Sequence, residues 1–294
     1  MTNEVVSIYI PTCNRRSLLE RAVKSVLDQT YPKIEVIVAN DASSDGTREF
    51  LDEWARGEPR LIPIHHETRR GAPAARNNAI RAATGFFITG LDDDDEFLPD
   101  RIERFVEAWD TSRMTDPSRS CIFTDSLMFD GFRSKITTDR KDCVSYLDLF
   151  VHNFVGNQVF CPRDYLLSVG GFDEQLPAWQ DLDLFIRLLR QHGHATRISA
   201  ANYVCHIEPS RERISKNATN RYFAFERIVA KYPVLTADLR HALFLQIFAG
   251  YGTTPAIADW RRLLRERAHA RHLIRLFRIG ARNSLRNRLS ILRR

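Results

Sequence analysis

The sequence predicts an α/β protein, a Rossmann-like and mostly parallel sheet flanked by helices, with a helical, basic C-terminal extension. Three observations predict it. Over roughly the first hundred residues, short β-branched runs alternate with longer amphipathic stretches, the signature of βαβ units. The runs VVSIYI and FFITGL are continuously apolar, as strands covered by helices on both faces should be. Residues 260–294 carry 12 Arg and one Glu, a balance of +11; the overall +6 leaves −5 for everything before, so the basic character belongs to the tail alone.

The elements follow in order. VVSIYIPT predicts a first strand, Ser17 to Gln29 a helix, IEVIVAND a second strand and Thr47 to Arg56 a second helix. RLIPIHH, then Ala74 to Ala83, then FFITGLD repeat the alternation. A helix from Asp100 to Trp109 precedes a polar gap, TSRMTDPSR, and a strand-like run, CIFTDSLMF. A short strand near Asn157 to Pro162 leads into GGFDE, where Gly170 and Gly171 permit a tight turn. The helix from Asp181 to His192 is capped by Gly193, and ISAANYVCH reads as another strand. From about Ile214 the pattern is helical, broken near Pro233 and Pro255. The division expected is a catalytic domain over residues 1–210 and a helical region over 211–294.

Composition removes several classes. The 294 residues, 44% hydrophobic, can bury a sizeable core. Cys13, Cys121, Cys143, Cys161 and Cys205 are odd in number, with no CxxC pair, which fits a reduced cytosolic protein. No charged leader precedes an apolar stretch, so nothing marks the chain for export. The longest nearly apolar run, Ala242 to Ala249, contains Gln246 and falls far short of the roughly 18 to 20 residues of a membrane span.

In a parallel open sheet, ligands sit beyond the carboxyl ends of the strands. Thr12, Asp41 and Asp92 end three of the runs and should share one rim. The run Asp92 to Asp95 crowds four carboxylates together, which costs free energy unless water, a cation or a base offsets the repulsion. A hard divalent ion would do so, with substrate phosphates as further ligands; a solvated acidic turn capping the next helix is the alternative.

The segments IPTCNRR, NDASSDGT, GAPAARNNAI, ITGLDDDDEFLPDRI, GGFDE and WQDLDLFIRL, in this order over about residues 7 to 190, resemble the motif series of inverting family 2 glycosyltransferases of the GT-A fold. SIYIPT, ARNNAI, ITGLDDDDE, GNQVF and the QD variant especially resemble the colanic-acid-type exopolysaccharide members. The resemblance implies a sugar transfer from a nucleotide-diphosphate donor, a UDP-sugar, to a lipid-linked glycan of bacterial exopolysaccharide, capsule or lipopolysaccharide. It implies that Thr12 and Asp41 bind the base, with Pro11, Arg15, Arg76 and Asp93 in the same donor site. Asp92 would meet the ribose or the metal, and Asp94 would be the principal ligand of Mn²⁺ or Mg²⁺, with Asp95 close by and His206 completing the shell. Trp179, by its position just before the helix, would stack on the acceptor sugar or pack in the core, Gln180 would contact the acceptor, and Asp45 and Gly46 shape a turn.

Members of that family draw the catalytic base from a Glu-Asp pair before a helix; this chain has Gln180 and Asp181, losing the Glu and keeping the Asp. Helical geometry separates the two candidates. Against a stripe of Leu182, Phe185, Leu188 and Leu189, Asp181 falls roughly 50° from the centre and Asp183 roughly 150° away. Asp181 should face inward as the base, or cap the helix. Asp183 should pair weakly with Arg187 in solvent.

Two other functions compete with the transferase. A sugar nucleotidyltransferase would need a Gly-rich phosphate loop that PTCNRR lacks, and a catalytically inactive sugar-nucleotide binding partner would be expected to have lost the acids. In the tail, Leu263, Leu264, Ile274, Phe277, Leu285, Leu289 and Leu292 recur at intervals of mostly three and four among the arginines. Such a helix can lie on an anionic leaflet, which makes the expected location cytoplasmic and peripheral on the inner membrane face. The competing readings are a solvated face packed on the catalytic domain and nucleic-acid binding, which ranks last, since the body of the chain is acidic.

Overall fold

The computed structural model describes residues 3–112, 115–137, 141–156, 158–207, 217–249 and 251–291, without the side chains of 112 and 286–291. Asn157, the expected boundary at 210/211, Ile214, part of the polar gap at 113–114, Leu292 and the side chain of Leu289 therefore lie outside the described residues.

In chain order the elements are β1 (Val6–Thr12), α1 (Arg16–Leu27), β2 (Ile34–Asn40), α2 (Thr47–Gly57), β3 (Leu61–His65), α3 (Ala72–Ala82), β4 (Phe87–Gly90), β5 (Glu96–Phe97) and α4 (Arg101–Ser112). They continue with β6 (Arg119–Phe129), β7 (Ser134–Ile136), β8 (Cys143–Val144), α5 (Tyr146–Val151), β9 (Cys161–Pro162), α6 (Arg163–Ser168), α7 (Gln180–His192) and β10 (His194–His206). Four helices close the chain: α8 (Ala218–Lys231), α9 (Ala237–Gln246), α10 (Ile257–Arg265) and α11 (Ala270–Ile291). The first three helices form within two residues of their expected ends.

Two compact units share this chain. One comprises residues 1–146, 154–174 and 181–210; the other takes 147–153, 175–180 and 211–294. The first unit holds a sheet of order β3-β2-β1-β4-β9, parallel except at β4–β9. β1 and β2 are buried at every residue, which is why apolar residues predominate in both; Glu35 of β2 is buried because the Ser7 hydroxyl (2.6 Å) and Thr84 donate to it. After β3 the chain crosses back to lay β4 on the other side of β1, and this reversal makes the switch point at which open sheets bind ligands.

A second sheet of order β5-β10-β6-β7, with β8 also on β10, pairs β10 with β6 in parallel and is otherwise antiparallel. The β10 register shifts between Ile198 and Tyr203, and beyond that point Tyr203 and Val204 lie opposite Phe97 and Glu96. Gly193 ends α7 as expected. Its φ of +110° suits glycine, and a Cβ there would run into the backbone oxygen of Ser118.

The second unit packs α8, α9 and α11 around Phe225, Leu243, Phe244 and Phe248. Asn217 and Thr236 cap α8 and α9 through side-chain oxygens that accept from the first backbone N–H groups. The basic tail is helical, but as two helices separated at 266–269 rather than one. Among the described residues no helix is long and apolar enough to cross a membrane.

Candidate active site

Beyond β4 the Leu91 N–H donates to the Tyr9 carbonyl (3.0 Å) and the Asp95 N–H closes a turn onto the Asp92 carbonyl (3.0 Å). This turn directs Asp93 away from its three acidic neighbours. Asp93, buried, points back to β1 and accepts from the Thr12 hydroxyl (2.8 Å) and Arg15 Nη1 (2.9 Å). Burial pushes the Asp93 carboxyl up, with Arg15 and the Thr12 hydrogen bond opposing. Asp95, also buried, accepts from the Tyr203 hydroxyl (2.9 Å) and the His206 N–H (3.1 Å). Asp92 accepts from Arg76 Nη2 (2.9 Å) and Gln158 Nε2 (3.4 Å), and the Asp94 carbonyl from Arg21 Nη2 (2.6 Å).

Asp92, Asp94 and Asp95 each offer a carboxylate oxygen within 4.8 Å of the others. At that spacing, and an effective dielectric of about 20, each charged pair repels by roughly 3 to 4 kcal/mol. Two of the four acids are buried and α4 begins at Arg101, so a solvated cap does not describe this turn. An all-oxygen donor set of this kind fits a hard divalent cation such as Mg²⁺ or Mn²⁺. His206 stands beside the cluster, but its Nε2 lies 2.6 Å from Glu96 and its ring lies edge-on to Phe129. Its ring is not among the ligand atoms that converge.

Along the same rim, Asp41 is buried and its carboxylate accepts from His66 Nδ1 (2.8 Å), the Arg70 N–H (2.8 Å) and the Gly71 N–H (2.7 Å). Burial raises this carboxyl, but the Arg70, His66 and Gly71 hydrogen bonds outweigh it and hold it below the ordinary range. Three of about four lone-pair positions are thereby occupied. Asn78 Nδ2 lies 2.6 Å from His66 Nε2, so the network assigns the His66 proton to Nδ1. Pro11 is buried opposite Ala39. Asp45 accepts from the Arg16 N–H and from Thr47, and Gly46 takes φ +79°, so this pair shapes the turn as expected.

Asp181 is the second residue of α7, inside the first turn rather than at its cap. It is half-buried, and burial pushes its carboxyl up to about 6 against the opposing pull of Arg76. Arg76 in turn feels Asp92, Tyr9 and Asp181 together, and these hold it charged despite its own burial. The Tyr9 hydroxyl donates to Gln158 Oε1 (3.0 Å), whose amide reaches Asp92. Asp92 of the turn after β4 and Asp181 of α7 therefore act on one guanidinium.

Gly90 makes this approach possible. A Cβ there would collide with Gln158 Oε1 and the Tyr9 ring. Gly90→Ala is expected to destabilise the fold by about 1 to 3 kcal/mol and to lower activity as well, checked by urea unfolding alongside a transfer assay.

One expectation needs correction. Asp183 is not in solvent: its side chain is fully buried, and the Arg187 pair (2.8 Å) is sealed because Arg187 also donates to the Val169 and Gly171 carbonyls of the glycine turn. A helical wheel shows one buried face and cannot show a loop folded over the opposite one. In the second unit, Trp179 is 8% exposed with φ 58°, so most of its indole is enclosed, and Gln180 Nε2 donates to the Leu176 carbonyl (2.9 Å). Gln158, Tyr203, Tyr9 and His66 were not expected. Tyr203 and His66 sit in recognisable strand runs, whereas Gln158 lies in a loop with no periodic signal.

The parallel sheet, its switch point and an acid cluster at the strand ends are the arrangement of the GT-A fold. The family model Glycosyl transferase family 2 matches residues 7–137. The Escherichia coli (strain K12) glycosyl transferase WcaA, named for colanic acid biosynthesis, is 32% identical over 231 residues, covering 76% of this chain and 81% of WcaA. Staphylococcus aureus TarS 1–349 in complex with UDP-GlcNAc superposes with a TM-score of 0.70 at 17% identity, covering 89% of this chain and 79% of that one. The Pyrobaculum calidifontis mannosyltransferase PcManGT, in complex with GDP-Man and Mn²⁺, gives 0.56 at 22% identity, covering 96% and 74%. The chain belongs to glycosyl transferase family 2.

Proposed function

We propose that this glycosyltransferase moves a sugar, with inversion, from a UDP-sugar to a lipid-linked saccharide during assembly of a bacterial surface polysaccharide. The observation that carries the reading is the convergence of the Asp92, Asp94 and Asp95 carboxylates at one turn, with Asp92 and Asp181 both acting on Arg76. Kinship with a transferase named for colanic acid biosynthesis supports the polysaccharide, and the UDP-GlcNAc held by TarS supports the donor class. The Mn²⁺ of PcManGT supports a divalent ion at the acidic turn.

In this reading Asp41 and Thr12 take the base, with Pro11, Arg15 and Asp93 shaping the pocket, and Asp92 takes the ribose or the metal. Asp94 is the principal metal ligand, with Asp92 and Asp95 beside it, and His206 supports the shell. A bound divalent ion supplies charge neutralisation for the leaving diphosphate. Asp181 accepts the acceptor hydroxyl proton as that oxygen attacks the anomeric carbon and the bond to the diphosphate breaks. A carboxyl poised near 6 is mostly ionised at neutral pH yet a better proton acceptor than an ordinary aspartate. Trp179 and Gln180, next in sequence, line the acceptor side.

A thermal-shift screen of nucleotide sugars with Mn²⁺ tests the reading. A UDP-sugar at a hundred times its dissociation constant should stabilise by about 2.7 kcal/mol, a rise of several degrees. No stabilisation by any nucleotide sugar, together with no donor turnover, would overturn it.

A further inference from the structure

The last helix presents its apolar residues to water. On α11, His272, Leu276 and Asn283 are buried at 5%, 0% and 2% exposure, and at about 100° per residue they span a narrow arc. On the opposite side, Ile274, Phe277 and Leu285 are 52%, 65% and 60% exposed, with exposed Ala281 among them, within roughly 80° of arc. Isolated exposed apolar residues are ordinary, but a stripe along the face opposite the buried one is not. Arg278 and Arg282, both exposed, run along one flank of that stripe, beside Arg271, which is exposed but pairs with Asp238.

We propose that this face of α11 is a docking surface for an anionic lipid bilayer, with Ile274, Phe277 and Leu285 entering the headgroup boundary and the arginines meeting lipid phosphates. Charge selects this occupant. The segment from 260 to 294 carries +11, so a second copy of the same face would meet strong like-charge repulsion. A nucleic acid would satisfy the arginines but leave the apolar stripe in water. An anionic membrane answers both, and helices with a polar cationic side and an apolar side lie in that interface. The inference stands without the transfer reading, although a lipid-linked acceptor would suit it.

Flotation of the full chain with vesicles of equal parts phosphatidylglycerol and phosphatidylcholine, against phosphatidylcholine alone, tests it. Binding should be at least about tenfold stronger on the anionic vesicles. Joint replacement Ile274→Ser, Phe277→Ser and Leu285→Ser should weaken it at least about tenfold. Arg278→Gln with Arg282→Gln should weaken it about 25-fold, about fivefold per arginine. Circular dichroism should show every variant folded, and turnover of a water-soluble acceptor should be unchanged. Equal recovery on both vesicles, or a triple serine variant that binds like the wild type, overturns the proposal. So does sedimentation showing the triple change dissociating a dimer, or duplex DNA that outcompetes the anionic vesicles. None of these failures would alter transfer to the soluble acceptor, so they are distinct from a failure of the proposed reaction.

Discussion

Asp181→Asn is expected to slow transfer by about 10²- to 10⁴-fold while leaving the donor dissociation constant within about twofold, because the change removes a proton acceptor and keeps the shape. The same variant should be more stable at neutral pH. The folded carboxyl sits at about 6, above its unfolded value near 3.8, so its folded state favours the protonated form. Stability is therefore fully present below the unfolded value and is lost as pH rises through the folded one. At pH 7 without divalent ions the penalty is about 3 kcal/mol as an upper figure, and the asparagine removes it. The gain in melting temperature should vanish below about pH 4. Lower stability in the variant at pH 7, or transfer near the wild-type rate, would count against Asp181 as base.

Asp94→Ala has the second largest expected effect. Its carboxylate is one of three crowded within 4.8 Å, and removing it should relieve repulsion in the ion-free protein while disabling the site. Donor affinity in Mn²⁺ should fall at least about tenfold, some 1.4 kcal/mol, and should no longer respond to the ion. Calorimetric titration of the donor with and without Mn²⁺ checks this. An unchanged ion dependence would move the metal away from this turn.

Much of this was legible because the local rules and the global fold agree. β1 and β2 are buried on both faces, so apolar residues predominate in their sequences, and the polar residues that end the runs could be assigned to one rim from the sequence. What escaped depends on long-range register. Tyr203 reaches Asp95 only because β10 shifts register after Ile198 and pairs with β5, and no periodicity announces a bulge. Gln158 reaches Asp92 from a loop, across a position that only Gly90 leaves open. The second unit borrows residues 147–153 and 175–180 from within the first, a division a linear reading cannot find. The tail's apolar residues were expected to form one face. The structure instead buries Leu263 and Leu276 and exposes Leu264, Ile274, Phe277 and Leu285, because the chain breaks between α10 and α11.

The central claim, that an acid on α7 serves the centre built at the turn after β4, is tested most directly by the pH dependence of transfer at saturating donor and Mn²⁺ in wild type and Asp181→Asn. The wild-type rate should fall tenfold per pH unit on an acid limb, as protonation removes the base, and the variant should be slow and flat across that range. A wild-type rate indifferent to pH there, or a variant that keeps the same falling limb, would contradict it.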